Sequence, residues 1–150
     1  MPKIAALYSD KKLREMRIMI QRTTHYLIIL GFATVVVFIV LGKPLLGLWG
    51  EEFKKAFSIL IILSIGQFFN IASGPIGSIL MMCDYEKILR NITIASLGIN
   101  IILNYFLIKI FGGNGAAIAT SISIALVMIS STILVKKKLG FFVFGLVNRK

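Results

Sequence analysis

The sequence predicts an all-α, polytopic membrane protein with four transmembrane helices. Of its 150 residues, 57% are hydrophobic, and all six acidic residues and nearly all seventeen Lys and Arg residues fall outside four long apolar stretches. A bilayer core of about 30 Å needs about 20 apolar residues per crossing. Because lipid cannot hydrogen-bond a bare backbone, such stretches should be helical throughout. The predicted spans are 26–42, 56–83, 91–108 and 115–135.

Residues 1–25 precede the first span and are predicted to form a loop that contains an amphipathic helix. From about Asp10 onward, apolar side chains recur on one side of a helix and charged side chains on the other; the apolar ones are Leu13, Met16, Met19 and Ile20. We expect this helix to lie along the cytoplasmic interface before it turns into the first span. A plain solvated basic helix is the alternative.

The second span is the longest, and its second half contains helix-breaking residues. Pro75 removes one backbone donor and clashes with the preceding turn, so a kink is expected there. Together with Gly74 and Gly77 it forms a candidate hinge. The preceding connection, residues 43–55, contains Pro44 and Trp49 and is predicted to be a short interfacial turn on the outer side.

Polar side chains inside the spans are the candidates for a substrate path. The third span places Thr93, Ser96, Asn100 and Asn104 within about 80° of one another around the helix. The second span adds Gln67 and Asn70. The Asn and Gln carboxamides among them either line a path for a polar headgroup or form hydrogen bonds between helices, each of which would stabilise the helix contact by about 0.6 kcal/mol. Both interpretations stay open.

Arg90 is the charge closest to a span interior, at the mouth of the third span. It either extends toward lipid phosphates or holds an anionic substrate group through its planar fork. Lys87 and Lys109 are weaker candidates for the same role.

The fourth span begins with a row of small residues. Gly115, Ala119 and Ser123 recur every four residues, a spacing that lets another helix approach closely. The preceding Gly-rich turn, 112–115, predicts that the third and fourth spans form an antiparallel hairpin. The four-span region is taken as 26–138, and residues 139–150 as a cytoplasmic tail.

The distribution of positive charge predicts the topology. Thirteen of the seventeen Lys and Arg residues fall in the leading segment, the connection between the second and third spans, and the tail. Positive residues concentrate on the cytoplasmic side, so both termini are expected in the cytoplasm and the protein in the cell membrane. The net charge of +11 therefore indicates membrane lipids, and not nucleic acid, as the partner.

The sequence does not predict an enzyme. His25 is the only histidine and has no Cys, Asp or second His near it in sequence, so neither a metal site nor a cofactor is expected. Asp and Glu are absent from the predicted spans, which places any proton relay or cation-coupling carboxylate elsewhere.

Four collinear segments resemble the C-terminal part of the polysaccharide biosynthesis flippases, which belong to the multidrug/oligosaccharidyl-lipid/polysaccharide exporter superfamily. They are residues 2–16, 41–53, 66–91 and 100–123. The most specific pieces are 70–82 and the element GNGAAIAT at 113–120.

This resemblance implies a MATE-like fold of two six-helix lobes around a cavity, which alternates its access to move an undecaprenyl-type lipid-linked oligosaccharide. The chain resembles part of the C-terminal lobe only, so we expect it to be a fragment that is inactive without the N-terminal lobe or an equivalent chain. Two alternatives remain. One is a fragment of a MATE-type multidrug exporter, and the other is a small four-helix membrane assembly or transport subunit.

Overall fold

The computed structural model of the protein describes residues 7, 8, 10, 12–141 and 143. Its helices are α1 (Leu13–Gly47), α2 (Phe57–Ser73), α3 (Ile76–Met82), α4 (Glu86–Phe111) and α5 (Gly113–Leu139), with a 3₁₀ helix at Glu51–Ala56. Four stretches are long and apolar enough to cross a membrane: Leu13–Gly47, Glu51–Met82, Glu86–Phe111 and Gly113–Leu139. The predicted fold class, all-α with four membrane helices, is confirmed.

Helix α1 differs from the expectation at its N-terminal end. Its 35 residues run without a turn from the predicted interfacial segment into the first span, a length of about 52 Å at 1.5 Å per residue. The apolar side chains of Met16 and Ile20 are almost fully buried within the protein. The helix continues because no Gly or Pro interrupts residues 13–30. Met16 and Ile20 pack on protein, whereas Leu13 is 41% exposed, so contact of this segment with the membrane interface stays a prediction.

The helix is interrupted between α2 and α3, where the sequence predicts a kink. Gly74 adopts φ 14° and ψ −83°, and Pro75 follows it as the residue that precedes α3. A side chain at position 74 would collide with Leu27 of α1 and lie 2.9 Å from the Ile71 carbonyl oxygen. Because the Ile71 carbonyl is a backbone atom, a larger residue at position 74 would require the end of α2 to shift.

The membrane helices lie in a row in the order α1, α2, α5, α4. Helix α2 packs between α1 and α5, and α5 packs against α4. Small residues allow these approaches, because a Cβ on Gly66 of α2 would lie 3.0 Å from the Cα of Ser121 on α5. A Cβ on Gly31 of α1 would similarly lie 3.3 Å from Phe68 on α2.

One end of the row is closed by a hydrophobic cluster. It joins α1, α3, α5 and the segment after α5, through Met16, Ile20, Ile76, Ile79, Leu80, Cys83, Val135, Leu139, Phe141 and Val143. Tyr8 packs against this cluster, and burial, together with a hydrogen bond to Tyr85, raises the pKa of its hydroxyl. Of the predicted tail, residues 142 and 144–150 lie outside the described residues, as do 1–6, 9 and 11 of the leading segment.

Candidate functional site: a polar trough between α2, α4 and α5

An open groove of about 340 Å³ runs along one face of the helix row. Helices α2 and α4 contribute its sides and α5 lies between them. We call it the trough, and its lining residues are Asn70, Ser73, Thr93, Ser96, Leu97, Asn100, Thr120, Ser123, Ile124, Val127 and Met128. Most of these side chains are polar, although all three helices are apolar enough to span a membrane. Polar side chains inside membrane helices usually face protein or water.

The two exposed faces of α5 have different surroundings, because one lines the trough and the other does not. Thr120, Ile124 and Val127 lie on the trough side, since residues at i, i+4 and i+7 share one face of a helix. The opposite face carries exposed isoleucines, which are Ile122, Ile129 and Ile133. The trough face of α5 therefore combines Thr120 with apolar side chains, whereas the opposite face, which we call the isoleucine face, suits contact with lipid tails.

Asn100 is held on the trough wall by a network that joins α4 to α5. Its carboxamide nitrogen donates to the Ser123 hydroxyl at 3.0 Å. The Ser123 hydroxyl donates in turn to the Ala119 carbonyl, and the Ser96 hydroxyl donates to the Ser123 carbonyl at 2.8 Å. Asn104 donates to both the backbone carbonyl and the side-chain oxygen of Asn100. Asn100 thus bonds helix to helix and also lines the groove.

Asn70 faces the same trough from α2. Its side-chain nitrogen donates to Gln67 Oε1 at 3.1 Å, and its backbone carbonyl accepts a bond from the Ser73 hydroxyl at 2.7 Å. Gln67 itself lines a different space, an apolar crevice of about 150 Å³ between α1 and α2. The structure therefore brings Asn70 and Asn100 into one groove and places Gln67 beside Asn70, on the adjacent face of α2 that borders the crevice with α1.

Arg90 lies in a neighbouring pocket of about 440 Å³, which we call the α4 pocket. Its lining residues are Met81, Glu86, Lys87, Leu89, Arg90, Thr93 and Ile94. Thr93 also lines the trough, so the two spaces adjoin at that residue. Of the five substrate-path candidates from the sequence, two line the trough, Asn104 supports one of them, and Gln67 and Arg90 line adjacent spaces.

The small-residue row of α5 lies at the contact with α4. Gly115, Ala119 and Ser123 are all buried, and a Cβ on Gly115 would collide with the Leu107 carbonyl of α4. Among the hinge candidates, Gly74 and Pro75 form the interruption, whereas Gly77 lies inside α3 and is half-buried. The hinge function of these residues stays a prediction.

Sequence reasoning missed Ser73 and Thr120 as trough residues. Thr120 belongs to the segment that the sequence assigns to helix packing. Its spacing from Ile124 and Val127 could have placed it on a separate face of α5 from Ala119. No comparable signal marks Ser73, because only the interruption at Gly74 and the position of α5 put it on the groove.

Comparison with known proteins gives two matches. A family model described as MatE matches residues 2–106. The capsular polysaccharide biosynthesis protein CapF of Staphylococcus aureus is 29% identical over 131 residues, which cover 87% of this chain and 33% of CapF. The chain therefore spans about a third of the length of this curated relative. No solved structure matches it.

Proposed function

This chain belongs to the MatE family, and from that premise we propose that it is the C-terminal part of a flippase that moves lipid-linked oligosaccharide across the cell membrane. The carrier lipid would be of the undecaprenyl type, and the product would serve cell-surface polysaccharide synthesis. The name of CapF supports this choice of pathway. In this proposal the protein is a transporter and not an enzyme, and both of its termini lie in the cytoplasm.

The observation that carries the proposal is the trough. Hydroxyl and carboxamide groups can exchange hydrogen bonds with sugar hydroxyls, and both donors and acceptors are present in Asn70, Thr120 and Asn100. The described trough residues include no Asp, Glu, Lys or Arg. The lining therefore offers neutral hydrogen-bonding groups for a sugar beside apolar side chains, and it offers no carboxylate for the amphiphilic cations that a multidrug exporter of this family would carry.

The trough is an open groove, so it needs a second wall to enclose a substrate. We propose that the remaining part of a CapF-like protein, or an equivalent chain, supplies that wall. The chain alone would then not transport. The two parts would rock against each other, and the interruption at Gly74 and Pro75 would absorb part of the bend.

A chimera tests the proposal. The chain replaces the third of CapF with which it aligns, and surface capsule is measured in a Staphylococcus aureus strain that lacks CapF. We expect capsule from the chimera and none from the chain alone. The paired substitutions Asn70→Leu and Thr120→Val, which keep side-chain size, should lower capsule strongly.

Matched controls lie outside the trough. Asn91 is exposed at the start of α4, and the Thr132 hydroxyl bonds its own helix at the Met128 carbonyl. Asn91→Leu and Thr132→Val should leave capsule unchanged. If the trough pair exports as well as these controls, the trough is not the sugar path. If the chimera instead confers resistance to cationic drugs without making capsule, the multidrug alternative replaces the proposal.

A further inference from the structure

We infer that one end of the trough selects a neutral sugar group that donates hydrogen bonds and discriminates against a carboxylate at the same place. This inference rests on the proposed function, because it specifies which group of a sugar the trough contacts. It concerns the group seated at that end and not the charge of the whole oligosaccharide.

The end of the trough concerned is the one nearest α3, and we call it the α3 end. Ser73 is the last residue of α2, two residues before α3 begins. Thr93 lines both the trough and the α4 pocket, to which α3 contributes Met81. Asn70, one turn before Ser73, lines the trough beside them. These three polar side chains therefore surround the α3 end.

The two hydroxyl groups at the α3 end have already committed their protons. The Ser73 hydroxyl donates to the Asn70 carbonyl at 2.7 Å, and the Thr93 hydroxyl donates to the Leu89 carbonyl at 3.0 Å. A hydroxyl has one proton and two lone pairs. Both oxygens therefore offer lone pairs to a ligand, and either hydroxyl would have to break its present bond before it could donate.

Asn70 adds a third acceptor. One N–H of its carboxamide donates to Gln67 Oε1 at 3.1 Å, whereas its side-chain oxygen accepts no hydrogen bond within the part of the chain that the structure describes. The second N–H of this carboxamide is the remaining donor. The opposite end differs, because the Thr120 hydroxyl makes no hydrogen bond with the described residues and can still donate. Acceptors therefore prevail at the α3 end.

A surface of this kind distinguishes a sugar hydroxyl from a carboxylate. A hydroxyl can donate to the oxygens of Ser73, Thr93 or Asn70, whereas an ionised carboxylate has only acceptors. A carboxylate at the α3 end would lose bonds to water without replacing all of them. The apolar side chains of Val127 and Met128 also line the trough and cannot replace those bonds.

The positive charges of the α4 pocket act in the opposite direction. Lys87 and Arg90 line that pocket beyond Thr93 and would attract a carboxylate. Both side chains are exposed, so salt screens their attraction, whereas hydrogen bonds made in contact with the trough are screened much less. Measurements at low and at high salt therefore separate the two effects.

The test compares three methyl glycosides that share one ring and differ at a single carbon. Methyl glucoside carries a hydroxymethyl group there, methyl glucuronide a carboxylate, and methyl glucuronamide a carboxamide of the same shape as the carboxylate. Each is titrated against the full chain in an uncharged detergent without a sugar headgroup, with saturation-transfer NMR as the readout. At high salt we expect the glucuronide to bind about fivefold more weakly than the other two, the value of one hydrogen bond.

Variants of the α3 end make the test specific. Ser73→Ala and Thr93→Val remove acceptor oxygens, so they should weaken the glucoside and bring its affinity close to that of the glucuronide. Thr132→Val is the matched control, because the Thr132 hydroxyl likewise bonds its own helix but lies outside the trough. It should leave the ratio of the two affinities unchanged. A folding defect would weaken all three probes alike and would appear in the melting temperature.

Each other outcome overturns the inference in a recognisable way. Equal or tighter binding of the glucuronide at high salt would overturn it and leave the trough as a sugar path. Glucuronamide binding as weak as that of the glucuronide would show that shape, and not hydrogen-bond donation, is selected. An unchanged ratio in both Ser73→Ala and Thr93→Val would place the selectivity elsewhere. Binding of none of the probes would remove the sugar path itself, and the inference with it.

Discussion

The carboxamide nitrogen of Asn100 lies 3.0 Å from the hydroxyl oxygen of Ser123, and this hydrogen bond joins α4 to α5. The same two residues line the trough. Helix association and groove lining are therefore not exclusive roles for Asn100. Asn100 therefore adds a polar group to the trough and, through the same side chain, holds α4 against α5.

The strength of this bond can be measured with a double-mutant cycle of Asn100→Leu and Ser123→Ala. The coupling should be about 0.6 kcal/mol and no more than about 1.7 kcal/mol, the range for hydrogen bonds between membrane helices. Reversible unfolding in mixed micelles provides the measurement. Additive effects of the two substitutions would mean that the bond does not stabilise the α4–α5 contact.

Gly66→Ala should destabilise the contact between α2 and α5. The added methyl group would lie 3.0 Å from the Ser121 Cα, a backbone atom that cannot move alone. Overpacking of this kind typically costs about 1–3 kcal/mol. Gly98→Ala is the matched control, because a Cβ there meets nothing within 4 Å. Unfolding in mixed micelles should separate the two variants, and equal stability would contradict the packing assigned to Gly66.

The hinge prediction is tested with prolines. In the CapF chimera, Pro75→Ala should alter capsule export if the interruption between α2 and α3 bends during transport. Pro44 provides the control, since it is an exposed proline in the last turns of α1. Unchanged export by Pro75→Ala, at normal protein levels, would remove the hinge from the mechanism.

Sequence periodicity predicted the fold class and the polar face of α4, because both depend on one helix at a time. It could not predict that Asn70 and Thr120 share a groove with Asn100. The 3.6-residue repeat shows which face of a helix is polar but not which helix stands opposite. The order α1, α2, α5, α4 depends instead on close approaches at glycines such as Gly66 and Gly31.

The N-terminal part of α1 illustrates the same limit. An apolar face that includes Met16 and Ile20 fits a membrane interface and a protein cluster equally well. Only tertiary structure shows that α3 and α5 cover it.

The predicted topology places both ends of the chain in the cytoplasm. Reporter domains that are active on only one side of the membrane, fused before Met1 and after Lys150, should report the cytoplasm at both ends. The excess of Lys and Arg in the leading segment and the tail is the physical reason. Reports from opposite sides would require an odd number of crossings and would contradict the four spans.

The central claim is that the trough is open to water whereas the isoleucine face of α5 borders lipid. Cysteine accessibility tests it most directly, in the CapF chimera with Cys83→Ala in this chain and any CapF cysteines removed. Single cysteines are introduced by Asn70→Cys or Thr120→Cys on the trough and by Ile129→Cys or Ile133→Cys on the isoleucine face. The trough cysteines should react with a water-soluble maleimide several-fold faster than the cysteines of the isoleucine face. Equal rates at the two faces, or faster labelling of the isoleucine face, would contradict the account.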